Sequence, residues 1–172
     1  MQKLKQKIIG INQSPNTEET LESALAFDGR LAGVFESLRS EGDMIGEQLG
    51  RRMKAQLLLF GDVKMRNARA QFSRNLLGSG GLAVEEEVIE TDQNNFSKFS
   101  ADVFVLCSSD PAYVAHSDSI LAHIKASHPD AVTIAAGKPE NWKSLWYSHA
   151  IFTGIDEIDF IRGLRTQLKE IH

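Results

Sequence analysis

The chain has 172 residues, 42% of them hydrophobic and 24% charged, enough to bury a core without a disulfide or metal staple and too few for two full domains. A net charge of −4 weighs against nucleic acid as a main partner, because phosphate backbones are met by basic faces. The single cysteine excludes an internal disulfide, and no run approaches the roughly 20 apolar residues of a membrane span. The basic start Met1-Gln-Lys-Leu-Lys leads into no secretory h-region, so the cytoplasm is the expected compartment.

Residues 1–54 differ in texture from the rest and are read as a connector: an arm followed by a helix. A short apolar run, Ile8-Ile9-Gly10-Ile11, precedes a polar stretch from Asn12 to Thr20. Leu31, Val34, Phe35, Leu38, Ile45, Leu49 and Met53 then fall near one helical face, with no companion stripe nearby to bury them. The pattern therefore expects this segment to be held by a partner or another domain. Gly42 stands where the stripe needs an apolar residue, which allows a break around Glu41–Asp43.

Residues 55–172 alternate strand and helix patterns. Gln56–Phe60 is a continuous apolar run of the kind found in strands covered on both faces. A helix follows from Met65 to Leu77, with Met65, Ala68, Phe72 and Leu76 expected inward and Lys64, Arg66, Gln71 and Arg74 outward. The basic residues of this helix, Arg69 included, read as a solvated face. Gly78-Ser79-Gly80-Gly81 ends the helix, since glycine reaches left-handed conformations without a Cβ clash. Leu82–Ile89 is a second strand, placed at an edge by Glu85, Glu86 and Glu87. A short helix at Asn94–Phe99 leads to the third strand, Asp102–Cys107, in which Cys107 acts as a small hydrophobe. Asp110-Pro111 opens a helix to Ser127, with Asp as N-cap and Pro at the first helical position. Ala131–Ala135 is a fourth strand, Pro139–Trp146 a helix whose Trp142 and Trp146 cover the sheet, and Ser148–Phe152 a fifth strand. Asp156 caps a closing helix with the stripe Ile161, Leu164, Leu168 and Ile171.

Five strands alternating with five helices predict an α/β, doubly wound parallel sheet in the flavodoxin-like order 2-1-3-4-5. Its switch point lies beyond the carboxyl ends of strands one and three, which selects two loops for any ligand: Gly61-Asp62-Val63-Lys64 and Ser108-Ser109-Asp110. The first loop has one glycine and no hydroxyl, which argues against an FMN phosphate. Asp62 and Asp110 could supply two carboxylates of a phospho-receiver, but the fifth strand runs into Phe152-Thr153-Gly154 and offers no lysine. The histidines show no metal-type spacing; His116 and His123 share a helix without a third ligand. No metal site is expected.

The two loops and the end of the fourth strand occupy the motif positions of the cobalamin-binding domains of the mutase family. Those domains carry Asp-x-His-x-x-Gly after strand one, Ser-x-Leu after strand three and Gly-Gly after strand four. This chain has Asp62, Lys64 and Asn67 at the first motif, Ser108 and Asp110 at the second, and Ala136-Gly137 at the third. A protonated lysine has no lone pair for cobalt, and an aspartate puts charge against an apolar wall. Together with Ala68-Arg69-Ala70-Gln71-Phe72, the Gly80-Gly81 turn and Cys107-Ser108-Ser109-Asp110, the chain resembles the small, non-catalytic subunit of methylmalonyl-CoA mutase, in its C-terminal domain. Upstream, Ile9-Gly10-Ile11-Asn12 and Phe35-Glu36-Ser37-Leu38-Arg39 resemble the connector that precedes that domain.

The resemblance implies an accessory chain with no catalytic residue and no cofactor of its own, paired as a heterodimer with a large subunit. That large subunit uses adenosylcobalamin to interconvert methylmalonyl-CoA and succinyl-CoA. It implies no nucleic-acid or membrane partner. The rival readings are a stand-alone small-molecule sensor using the same crevice, and a cobalamin carrier with a different lower ligand. The emptied crevice needs a filling, and the sequence offers Lys64 folding in toward Ser108–Asp110, or Lys64 in solvent with Asp110 merely capping its helix.

Overall fold

The computed structural model describes residues 17–142 and 147–171, with side chains from residue 32 onward except that of Asn141. The apolar run Ile8–Ile11, the side chain of Leu31, and Trp146 lie outside the described residues. Two compact units divide the chain between Ser37 and Leu38. The described part of the first is helix from Thr17 onward, the start of α1 (Thr17–Leu49). The sequence boundary at residue 54 marks a change of texture; the boundary of compactness falls earlier, inside this helix.

The second unit carries the end of α1, then β1 (Lys54–Leu59), α2 (Val63–Ser79), β2 (Ala83–Val88), β3 (Val103–Cys107), α3 (Asp110–Ser127), β4 (Val132–Ala136), a 3₁₀ turn at Pro139–Asn141, β5 (His149–Ile151) and α4 (Glu157–Ile171). All five strands are parallel, in the order β2-β1-β3-β4-β5, the flavodoxin-like arrangement that the alternation predicts. β2 is an edge strand, and its glutamates pair with surface cations: Glu85 with Lys54, Glu86 with Arg74 and Glu87 with Lys98. Such exposed pairs are worth at most about 1 kcal/mol each.

Alternation along the central strands sorts the core into two layers. Leu58, Phe60, Phe104, Leu106 and Ala135 face α3, whose Tyr113, Ile120, Leu121 and Ile124 are fully buried. The opposite layer meets α2, where the Ser73 hydroxyl lies 3.8 Å from the Cys107 sulfur, and α4, which buries Ile161, Leu164 and Leu168. Three sequence expectations change here. The β2–β3 crossover forms no helix at Asn94–Phe99; it is coil, anchored by the buried rings of Phe96 and Phe99. Polar side chains between those rings leave no apolar stripe for a helix to bury. A 3₁₀ turn replaces the start of the helix expected at Pro139–Trp146, and residues 143–146 lie outside the described ones. α1 runs unbroken through Gly42, which is buried because a Cβ there would meet an Arg165 nitrogen at 2.9 Å and the Gly80 carbonyl oxygen at 3.2 Å. The glycine permits close approach rather than ending the helix.

The stretch from Leu38 to Met53 is integral to the sheet unit. Leu38, Ile45 and Met53 are buried. The Arg165 guanidinium, 3% exposed, donates to the Leu38 carbonyl, to the Gly80 carbonyl at 2.5 Å and to Glu41 at 3.2 Å. Burial lowers its pKa, against the pull of Glu41 and Asp43. Arg51 makes a two-point contact with the buried Asp102 carboxylate at 2.6 and 2.8 Å, and the Lys54 backbone N–H donates to the same group at 2.9 Å.

Candidate functional site

The carboxyl ends of β1, β3 and β4 define the crevice at which open α/β sheets take their ligands. The loop after β1 turns at Gly61, with φ +71°, where a Cβ would stand 2.8 Å from the Ser108 hydroxyl. Asp62 then caps α2, accepting from the Met65 N–H at 2.9 Å. Lys64 is exposed on the first turn of α2 and makes no hydrogen bond or ion pair among the described residues. Asn67 is exposed as well.

Ser108 is fully buried and ties the second loop to the first, donating from Oγ to the Phe60 carbonyl at 2.7 Å. Its backbone N–H donates to the Tyr113 hydroxyl at 3.1 Å. That hydroxyl lies 2.7 Å from the Leu106 carbonyl and 2.8 Å from that of Ala136, so one phenol joins the ends of β3 and β4. Burial raises the Tyr113 pKa, which keeps it a donor. Gly137, at φ +136°, follows β4 and donates its N–H to the Ile151 carbonyl at 2.7 Å.

Asp110 does not act as the N-cap. The cap residue is Ser109, and Asp110 is the first helical residue of α3, followed by Pro111. Its carboxylate instead accepts from Arg69 Nη2 at 2.5 Å and from Trp142 Nε1 at 3.2 Å. Arg69 also donates from Nη1 to the Ser108 carbonyl, and its guanidinium carbon stands 5.2 Å from the centre of the Tyr113 ring. A Cβ on Gly137 would fall 2.8 Å from that carbon. The crevice is therefore filled by a guanidinium. The Lys64 latch considered from the sequence is replaced by Arg69, which lies deeper along α2 with a side chain only 14% exposed.

Of the degenerate motif positions, the structure gathers Ser108, Asp110, Ala136 and Gly137 around one point and leaves Lys64 and Asn67 outside it. Sequence reasoning missed Arg69, Tyr113 and Trp142 as site residues. The available signal was Gly137: a glycine beside a crevice makes room for something. Among the described residues no group of His, Cys, Asp or Glu could hold a metal ion. Cys107 is buried behind the site against Ser73, and burial pushes its thiol up to about 12.

Comparison with known proteins agrees with the motif reading. No family model matches the chain. Over 114 residues it is 30% identical to a methylmalonyl-CoA mutase small subunit from Porphyromonas gingivalis (strain ATCC BAA-308 / W83), covering 64% of this chain and 17% of that protein. Over 98 residues it is 29% identical to the small subunit from Streptomyces virginiae, covering 55% of this chain and 16% of that one. The chain is similar to methylmalonyl-CoA mutase small subunits. It spans about one sixth of the length of these curated relatives. Among solved structures it is similar to a signal receiver domain of an HD domain-containing protein from Pseudomonas fluorescens Pf-5, with a TM-score of 0.45 and 15% identity over 71% of this chain and 90% of that one. At that level the match carries no argument about function. Among the described residues no helix is long and apolar enough to cross a membrane.

Proposed function

We propose that this chain is a non-catalytic accessory domain of the methylmalonyl-CoA mutase small-subunit kind, which contributes fold stability and subunit contact to a large catalytic subunit in a cytoplasmic heterodimer. The observation that supports this most is the guanidinium of Arg69 in the switch-point crevice, held by Ser108 and Asp110.

The residues present do not fit cobalamin. The position of the cobalt-binding imidazole carries the exposed ammonium of Lys64, and the apolar wall position carries Asp110 in an ion pair. The space between holds the planar guanidinium of Arg69, bonded to Ser108 and Asp110. A small-molecule sensor would need open volume at the same point, and beside Gly137 that space is taken by the Arg69 guanidinium. The isomerase chemistry and its adenosylcobalamin accordingly belong, in this proposal, to the large subunit.

Co-expression with a mutase large subunit tests the accessory role. Co-elution of the two chains in equal amounts on size-exclusion chromatography is the expected result. A chain that elutes alone at micromolar concentration, with the large subunit equally stable and active without it, would overturn the proposal.

A further inference from the structure

The walls of the crevice are fixed by bonds that do not involve Arg69. Ser108 is pinned through its hydroxyl to Phe60, Tyr113 through its own hydroxyl to Leu106, Ser108 and Ala136, and Asp110 through the indole of Trp142. Trp142 in turn packs on Tyr113, with ring centres 4.7 Å apart, and is 4% exposed. Among the described residues, Arg69 of α2 is the long side chain that enters this frame. A carboxylate, a carbonyl and an aromatic face around a flat space beside a glycine suit a guanidinium better than an ammonium. The guanidinium is planar, donates along two directions at once and stacks on rings.

We propose that this crevice is a guanidinium-binding site occupied in cis by Arg69, and that Arg69 is the group that keeps a free guanidino compound out of it. The proposal stands on the geometry of the crevice and is independent of the accessory role: a chain that fails to pair with a large subunit still has this frame. An external guanidino ligand would place its two nitrogens on the Ser108 carbonyl and the Asp110 carboxylate, under the ring of Tyr113. No covalent step is involved.

The test uses the full chain and ethylguanidinium as probe, at about 10 mM, where a stabilising shift reports binding to the native state. R69A is expected to rise in melting temperature with ethylguanidinium, while the parent chain does not. Ethylammonium should act about tenfold more weakly than ethylguanidinium on R69A, and R69A/D110N should lose the response. An R69A protein with native circular dichroism that ignores ethylguanidinium would overturn the proposal. So would equal responses from the parent chain and R69A. If R69A does not fold, R69Q is read in the same way. A measurement on the parent chain itself remains open in either case: the guanidinium protons of Arg69 should give resolved, exchange-protected NMR signals, and a freely rotating guanidinium would contradict the cis occupancy.

Discussion

Two arginines of the sheet unit solve the same problem at different places. Arg165, on α4, lies against Gly42 and Gly80 and binds carbonyls from α1 and from the end of α2. Arg69, on α2, lies against Gly137 and binds the loop after β3. Each guanidinium fills room left by a missing Cβ, and each joins segments distant in sequence. They differ in what surrounds them. Arg165 is 3% exposed, and its Nε has no partner among the described residues. Arg69 stands at the ligand-binding end of the fold, with a carboxylate and an aromatic face. The first is a fold-holding contact, whereas the second closes a crevice. The difference shows that a buried cation has to be read from its address on the fold as well as from its burial.

A dispensable Arg165 would leave only one of the two arginines with a structural task. R165A removes the guanidinium bonds to the Leu38 and Gly80 carbonyls and should lose about 2–3 kcal/mol in urea unfolding. A loss below about 1 kcal/mol would remove the fold-holding role. G42A probes the same contact from the other side. Its new methyl meets the Arg165 guanidinium and the Gly80 backbone, so a loss of about 1–3 kcal/mol is expected, although alanine is the better helix former.

The α4 clasp was illegible in the sequence for a physical reason. The stripe Ile161, Leu164 and Leu168 was plain, but an arginine beside it reads as solvated, and the room left at Gly42 together with the Gly80 carbonyl turns it inward. The same holds for α2. Of the face expected from Met65, Ala68, Phe72 and Leu76 only Leu76 is buried, because the helix buries Ala70, Ser73 and Leu77 with it and turns Arg69 toward the crevice. Met65 is 40% exposed. Polar residues that face inward remove themselves from a hydrophobic pattern, so periodicity misplaced the phase of this helix while finding its existence. Strand order, the edge position of β2 and the two switch-point loops were all legible, since they follow from alternation and crossover handedness. The pairing of Asp110 with Arg69 was not, because an Asp-Pro start is satisfied on paper by capping alone.

Arg69 and Lys64 sharpen the comparison at the crevice. R69A should cost about 1–3 kcal/mol, from the loss of the guanidinium's bonds to the Asp110 carboxylate and the Ser108 carbonyl. K64A should stay within about 0.5 kcal/mol of the parent chain, being a surface change. Equal effects from the two in chemical denaturation would remove the distinction between a surface lysine and a crevice-closing arginine.

The smallest effect near neutral pH belongs to Cys107 behind the crevice. Burial of the would-be thiolate pushes its pKa up from the ordinary 9.0 to about 12. The native state therefore holds this proton longer than the unfolded chain does. The stabilising contribution is complete below about pH 9 and is lost as pH rises toward about 12. At pH 8 the thiol should resist iodoacetamide in the native chain and react in urea, and fast native-state labelling would show that the layer between α2 and β3 is open.

In the function proposed, the crevice stands at the cobalamin-type position and Arg69 occupies it in the cofactor's place. Titration of the purified chain with hydroxocobalamin, followed in the visible spectrum, tests this most directly. The account expects the spectrum of the free cofactor to persist unchanged throughout the titration, because Lys64 offers cobalt no imidazole and Arg69 fills the crevice. A saturable spectral shift with micromolar or tighter affinity, abolished when His residues elsewhere in the chain are replaced, would contradict it.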